Sequence, residues 1–178
     1  MAEAFSNKVT RAAGIVSTSS AGAVGILTNL ITGISTVDVA VNDLVDNTQF
    51  ILGTKVSSVG ASQIVCDRDS TNTSATTNQS VKFLGPTTAY TSTGTKSILV
   101  GGTFANNTGS SVNLTVTVYD NSVTTEVGLA ANIPVPNGSS FVVSDAGKTV
   151  LESSDEIRVY CDSANAIDAT LSILTGVS

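Results

Sequence analysis

The chain contains no histidine and no tryptophan. Without imidazole there is no side chain that titrates unperturbed near neutral pH, no Ser-His-Asp triad and no histidine-bound zinc. Aromatic residues make up only 4% of the sequence, so Val, Ile, Leu and Ala must fill the interior, and of the Trp and Tyr that form platforms for stacking sugars there is no Trp at all. Charge is scarce as well. Asp, Glu, Lys and Arg together are 12%, about half the usual share, and Ser, Thr and Asn supply the polar surface instead. Hydroxyls and amides cost less to desolvate than ions, so such a surface suits a chain that meets many neighbours. The net charge of −6 and the scatter of the eight basic residues argue against nucleic acid as a partner. Lys8 and Arg11 are the nearest thing to a basic cluster, and they read as part of a polar arm. The two cysteines, Cys66 and Cys161, sit in apolar runs. A bridge between them would join two different domains; a pair of small buried thiols is the expectation.

No signal peptide is read at Met1-Ala2-Glu3, which lacks a basic start and a compact apolar core. The stretch from Gly14 to Ile34 is apolar enough to suggest a membrane span, but Ser17, Thr18, Ser19, Ser20, Thr28 and Asn29 interrupt it. It reads as loop and strand, with no membrane partner.

The clearest order lies between Lys96 and Asp120. Val112, Leu114, Val116 and Val118 alternate with Asn113, Thr115, Thr117 and Tyr119, the period of a strand with one buried face. Ile98, Val100 and Phe104 mark an upstream strand, and the turn residues from Asn106 to Ser111 between the two predict a hairpin. Further alternation follows at Val127, Leu129, Ala131 and Ile133, then at Ile157, Val159 and Cys161, and last at Ile167, Ala169, Leu171 and Ile173. Phe141-Val142-Val143 reads as buried, and turns fall at Pro134 to Gly138 and at Asp145-Ala146-Gly147-Lys148. This spacing predicts an immunoglobulin-like or jelly-roll sandwich over 89–178.

Upstream, Val37, Val39 and Val41 alternate, Phe50, Leu52, Val56 and Val59 follow, and Ile64 to Cys66 and Val81 to Leu84 complete a set of short strands. They predict a small β-barrel or sandwich over 15–88, with apolar residues between Ile15 and Ile34 buried in an element of open type. Residues 70–80 read as a flexible loop. Residues 1–14 read as an arm that orders only against a neighbouring subunit. Gly85-Pro86-Thr87-Thr88-Ala89 marks the boundary between the halves.

Three groups invite a chemical reading. Asp67-Arg68-Asp69-Ser70 offers hard oxygens in the manner of a calcium loop, but lacks the further ligands and glycine, and reads as a solvated turn with an internal ion pair. Glu152 with Asp155-Glu156 could supply paired carboxylates for acid and base work, yet it stands just before a strand and reads as a turn. Gly101-Gly102 has no helix and no Lys-Ser/Thr after it, so it marks a bulge or a close backbone approach and not a phosphate loop. The expectation is no catalytic, cofactor-binding or metal-binding residue, no cofactor and no enzymatic activity.

Two stretches carry a resemblance. VAVNDLVDNTQFILGTKVSSVGASQIVCDRDSTNTSATTNQSVKFLG, from Val39 to Gly85, resembles a small β module of tailed-bacteriophage virion proteins, with Asn42 where the module usually has Gly and Ile51 where it usually has Pro. Ser97 to Leu174, in particular FANNTGSSVNLTVTVYD, IPVPNGSSFVV and LESSDEIRVYCDSANAIDATLSIL, resembles the β-sandwich of structural proteins in marine phages, cyanophages among them. The resemblance implies an all-β structural protein located in the virion, a capsid decoration or cement protein in many copies. It would associate with itself and with the major capsid protein or with neck and tail proteins. A neck or tail ring is the alternative, and a receptor-binding appendage comes after it.

Overall fold

The structure, a computed structural model, describes residues 3–94, 96–143 and 148–177. Every regular element among them is a β-strand: β1 (Ala4–Ala13), β2 (Ile15–Val24), β3 (Leu30–Thr32), β4 (Leu44–Asp46), β5 (Val56–Val59), β6 (Gln63–Cys66), β7 (Thr76–Gly85), β8 (Thr87–Thr91), β9 (Lys96–Asn106), β10 (Val112–Asp120), β11 (Thr125–Val135), β12 (Ser140–Val143), β13 (Thr149–Leu151), β14 (Glu156–Cys161) and β15 (Ile167–Val177). The chain is all-β, and its strands pair antiparallel. It separates into two compact units. One comprises the described residues of Met1–Gly14 and Thr87–Ser178; the other, Ile15–Pro86, is inserted between its first two strands.

The free arm expected over 1–14 is corrected. Met1 and Ala2 lie outside the described residues, and from Ala4 onward the segment pairs with β15 of its own chain, Ala4 opposite Thr175 and Ala13 opposite Ile167. The cause is backbone pairing. A strand on a sheet edge is held by N–H and C=O groups that β15 would otherwise leave open, so few apolar side chains are needed.

In this first unit one sheet runs β1-β15-β9-β12, with β13 also paired to β9, and the other runs β11-β10-β14-β8. Leu99, Phe104, Leu171 and Ile173 from the first sheet and Leu114, Val116, Ile157 and Val159 from the second share one buried core, which is a sandwich-like arrangement. Burying each such side chain contributes about 1.5–3 kcal/mol. The alternating sets of β10, β14 and β15 face this core.

The hairpin expected between Lys96 and Asp120 does not form. β9 pairs with β15, β12 and β13, while β10 pairs with β11 and β14, so the two strands lie in opposite sheets. The link between them is an arch, braced by the buried Asn106, whose amide donates to the carbonyls of Ser110 (2.7 Å) and Val135 (2.9 Å). Period-two patterning reports which face is buried and is blind to which strand is the neighbour. In β9 the inward residues are Leu99 and Phe104, with Ile98 and Val100 half-buried, because Val100 is an extra residue between the pairs Leu99–Ile173 and Gly101–Ser172. β11 carries two register shifts, which bring Ala130 to the buried position opposite Val116, while Val127, opposite Val118, is exposed. Val142, expected inside, is 54% exposed, because Phe141 and Val143 take the inward positions. The turn expected at 145–148 lies outside the described residues up to Gly147.

In the inserted unit a single sheet runs β4-β7-β2-β3-β6-β5 around Val24, Ile31, Val56, Ile64, Cys66, Val81 and Phe83. Val37, Val39 and Val41 form no strand; Val37 and Val41 are exposed in a turn held by Asp43, whose carboxylate accepts the Ala40 N–H at 2.8 Å. Burial pushes the Asp43 carboxyl up, and that backbone donor pulls it partly back. Ile15, Ile26 and Leu27 are exposed, contrary to the expectation of burial, and the region is two strands joined by a turn. The loop expected over 70–80 ends at Thr76, where β7 begins.

Candidate interaction surface

The three groups singled out in the sequence become turns and packing devices. Asp67 accepts the Lys55 N–H at 2.8 Å and stands 4.0 Å from Arg68, while the buried Ser70 hydroxyl accepts from Thr28 N–H and donates to the Gly25 carbonyl. Glu152, Asp155 and Glu156 diverge. Asp155 accepts backbone N–H groups of Asn121 (3.0 Å) and Glu152 (2.8 Å), Glu152 pairs with Lys96 (3.3 Å), and Glu156 accepts from Arg158. Gly101 borders the β9 bulge, and a Cβ on Gly102 would lie 2.8 Å from Leu171 Cδ2. Among the described residues no three His, Cys, Asp or Glu side chains gather as metal ligands. Both thiols are free and buried.

A network that sequence reading missed covers the outer face of the β11-β10-β14-β8 sheet. Register sets Tyr119 opposite both Glu126 and Glu156, and Thr117 opposite Arg158. The Arg158 guanidinium lies 3.8 Å over the Tyr119 ring, donates to Glu156 at 2.7 Å and stands 3.6 Å from Glu126, whose side chain is only 3% exposed. Glu126 also accepts from the hydroxyls of Thr117 and Tyr160, the latter at 2.8 Å, and Thr88 donates to Glu156. Burial, then the Glu126 charge, raises the Tyr160 phenol. Burial opposes charge on Arg158, but the Glu156 hydrogen bond and the two carboxylates outweigh it, and its pKa rises. Chemically the network is a clamp: two carboxylates share one guanidinium and tie four strands together.

The outer face of the other sheet is different in kind. Ile167, Ala169, Leu171 and Ile173 point inward from β15, leaving Asp168, Thr170, Ser172 and Leu174 outside. Pairing then lines up Phe5, Leu174, Ile98 and Val150 in one row across four strands. Phe5 is 73% exposed and Val150 52%, with the two between them half-buried. A second row runs Val9, Thr170, Thr103 and Val142, and Asn7, Ser172 and Gly101 lie between the rows. These positions hold no ionisable side chain. At one end Asp168 is occupied by the Ala12 N–H (2.8 Å) and the Asn107 amide (3.2 Å); at the other the Lys96–Glu152 pair is neutral. β1 is therefore inverted: Ser6, Lys8 and Thr10 share the face of the inward residues Ile173, Leu171 and Ala169, and Phe5 and Val9 point to water. The signal was present at positions 5 and 9, but it becomes a patch only when β1 is known to be a strand.

No protein-family model matches the chain, and a comparison with curated proteins finds no match.

Proposed function

We propose that the chain is a non-enzymatic structural protein of a bacteriophage virion, a capsid decoration or cement protein that packs in many copies. The observation that carries the reading is the uncharged sheet face with Phe5, Val9, Val142 and Val150 exposed upon it. Exposed apolar side chains gathered on one sheet face in this way mark an association site. A surface poor in ions lets such contacts form at low desolvation cost. The resemblance of 39–85 and 97–174 to phage virion domains supplies the setting, with the first unit as an immunoglobulin-like or jelly-roll sandwich and the inserted unit as the small β module. Other virion proteins, the major capsid protein first, are the partners this reading implies.

Quantitative mass spectrometry of purified particles tests it. A copy number comparable with that of the shell protein supports decoration. One ring's worth moves the chain to the neck or tail, a few copies at fibre tips to receptor binding, and absence from particles overturns the virion reading.

A further inference from the structure

We propose that the outer face of the β1-β15-β9-β12 sheet pairs with the same face of a second copy of this chain. This goes beyond the virion reading and stands whether or not that reading holds.

The argument rests on symmetry, charge and area. A two-fold axis in the plane of contact, parallel to the strands, exchanges the left and right halves of each row. It sets Phe5 against Val150 of the second copy and Leu174 against Ile98, both apolar pairs, because each row runs straight across the sheet. In the next row Val9 meets Val142, and Thr170 meets Thr103. An isologous contact needs this self-complementarity.

The whole chain carries −6, so two copies repel at a distance, but that repulsion is screened within about 8 Å at physiological salt. The apolar rows themselves hold no ionisable residue; Asp168, which accepts two neutral N–H groups, and the Lys96–Glu152 pair flank them at the two ends. A basic partner, which the net charge would otherwise favour, finds no carboxylate within the two rows. The available footprint is adequate. β1 has ten residues, β15 and β9 eleven each, and β12 and β13 add four and three; at about 4.8 Å between strands and about 3.3 Å per residue they span roughly 600 Å². That is the low end of specific interfaces, which take roughly 600–1,000 Å² from each partner, and sheets stacked face to face make such contacts at about 10 Å.

The test uses the full chain in sedimentation velocity and light scattering over a dilution series. The expected species is a dimer, twice the 18.0 kDa chain mass. Val9→Asp and Val150→Asp should each weaken it by about a hundredfold, because symmetry places two unpaired carboxylates in every interface. Both positions are more than half exposed, so circular dichroism and melting of the monomer should be unchanged. The double variant Val9→Cys with Val142→Cys reports the geometry. Facing residues of stacked sheets stand about 10 Å apart, too far for a disulfide but within reach of a bismaleimide linker of about 10 Å, which cannot bridge the roughly 14 Å of three strand spacings between these positions within one copy. The linker should therefore yield a covalent dimer, while the two native thiols stay buried. A monomer at the highest soluble concentration overturns the proposal, as does a dimer that survives both Asp substitutions. Failure to cross-link in a dimer that both substitutions break overturns the two-fold arrangement. A monomer that binds particles only when Val9 is intact gives the face to another protein and overturns pairing, while leaving the virion reading in place.

Discussion

At the scale of single residues, the side chains that carry most of the stability were readable and those that clamp the surface were not. Val116 shows no exposure and lies in the shared core of the first unit. Val116→Asp should cost more than about 4 kcal/mol, since a carboxylate there loses water and gains no partner; thermal denaturation followed by circular dichroism should show that unit unfolded. Alternation made this position legible. For Arg158 alternation shows only that Glu156, two residues before it on β14, shares its face; Glu126 comes from β11, and only sheet register brings it near. Arg158→Ala should cost about 3 kcal/mol, the loss on removing one partner of a largely buried ion pair, seen as a lower denaturant midpoint. Cys66 offers a pH test. Burial, then the Asp67 charge, pushes its thiol from an ordinary 9.0 up to about 12. The folded state thus holds the proton more tightly. The stabilisation is complete below pH 9 and is lost as pH rises toward about 12, so alkaline titration should weaken the inserted unit across that window. In the native protein at pH 8, a thiol reagent should modify Cys66 only at the rate of unfolding.

At the scale of elements, strand existence was legible and strand partnership was not. The run from Val112 to Val118 fixed the buried face of β10, yet its neighbours are β11 and β14 and not the adjacent β9. The pattern also fails wherever a bulge adds a residue, as at Val100 and along β11, because one extra residue reverses the phase of all that follows. β1 was the largest miss. Phe5 and Val9 face outward while Ser6, Lys8 and Thr10 share the inward face, so no amphipathic signal marked it as part of the sandwich. Its role gives a prediction opposite to that for a free arm. Deleting residues 1–13 strips β15 of one ladder, exposes its edge and removes the hydrogen bond from Thr10 to the Ala89 carbonyl. The truncated protein should melt at a lower temperature and aggregate on heating, measured by circular dichroism and light scattering. A free arm would leave the melting temperature unchanged.

At the scale of the whole molecule, the chain leaves the first unit after Gly14 and returns at Thr87, and the two positions are in contact: the Gly14 N–H donates to Thr87 Oγ1 at 3.1 Å. Replacing Ile15–Pro86 by a link of about three residues closes a shorter loop at little entropic cost. The remainder should fold, with native-like near-ultraviolet circular dichroism and cooperative melting. The inserted segment, whose ends meet in the pair Ile15–Gly85, should fold when expressed alone. The same nesting sets an order of events on the ribosome. β1 emerges first, but its ladder partner β15 follows every other strand of the described chain. The inserted unit has all its strands in hand well before that and folds while β1 waits unpaired. Through most of translation Phe5 and Val9 are thus carried on a strand without a sheet, and in a polysome the nearest open β15 edge can belong to a neighbouring nascent chain. Strand exchange between copies, with β1 of one on β15 of another, is the error that this nesting invites.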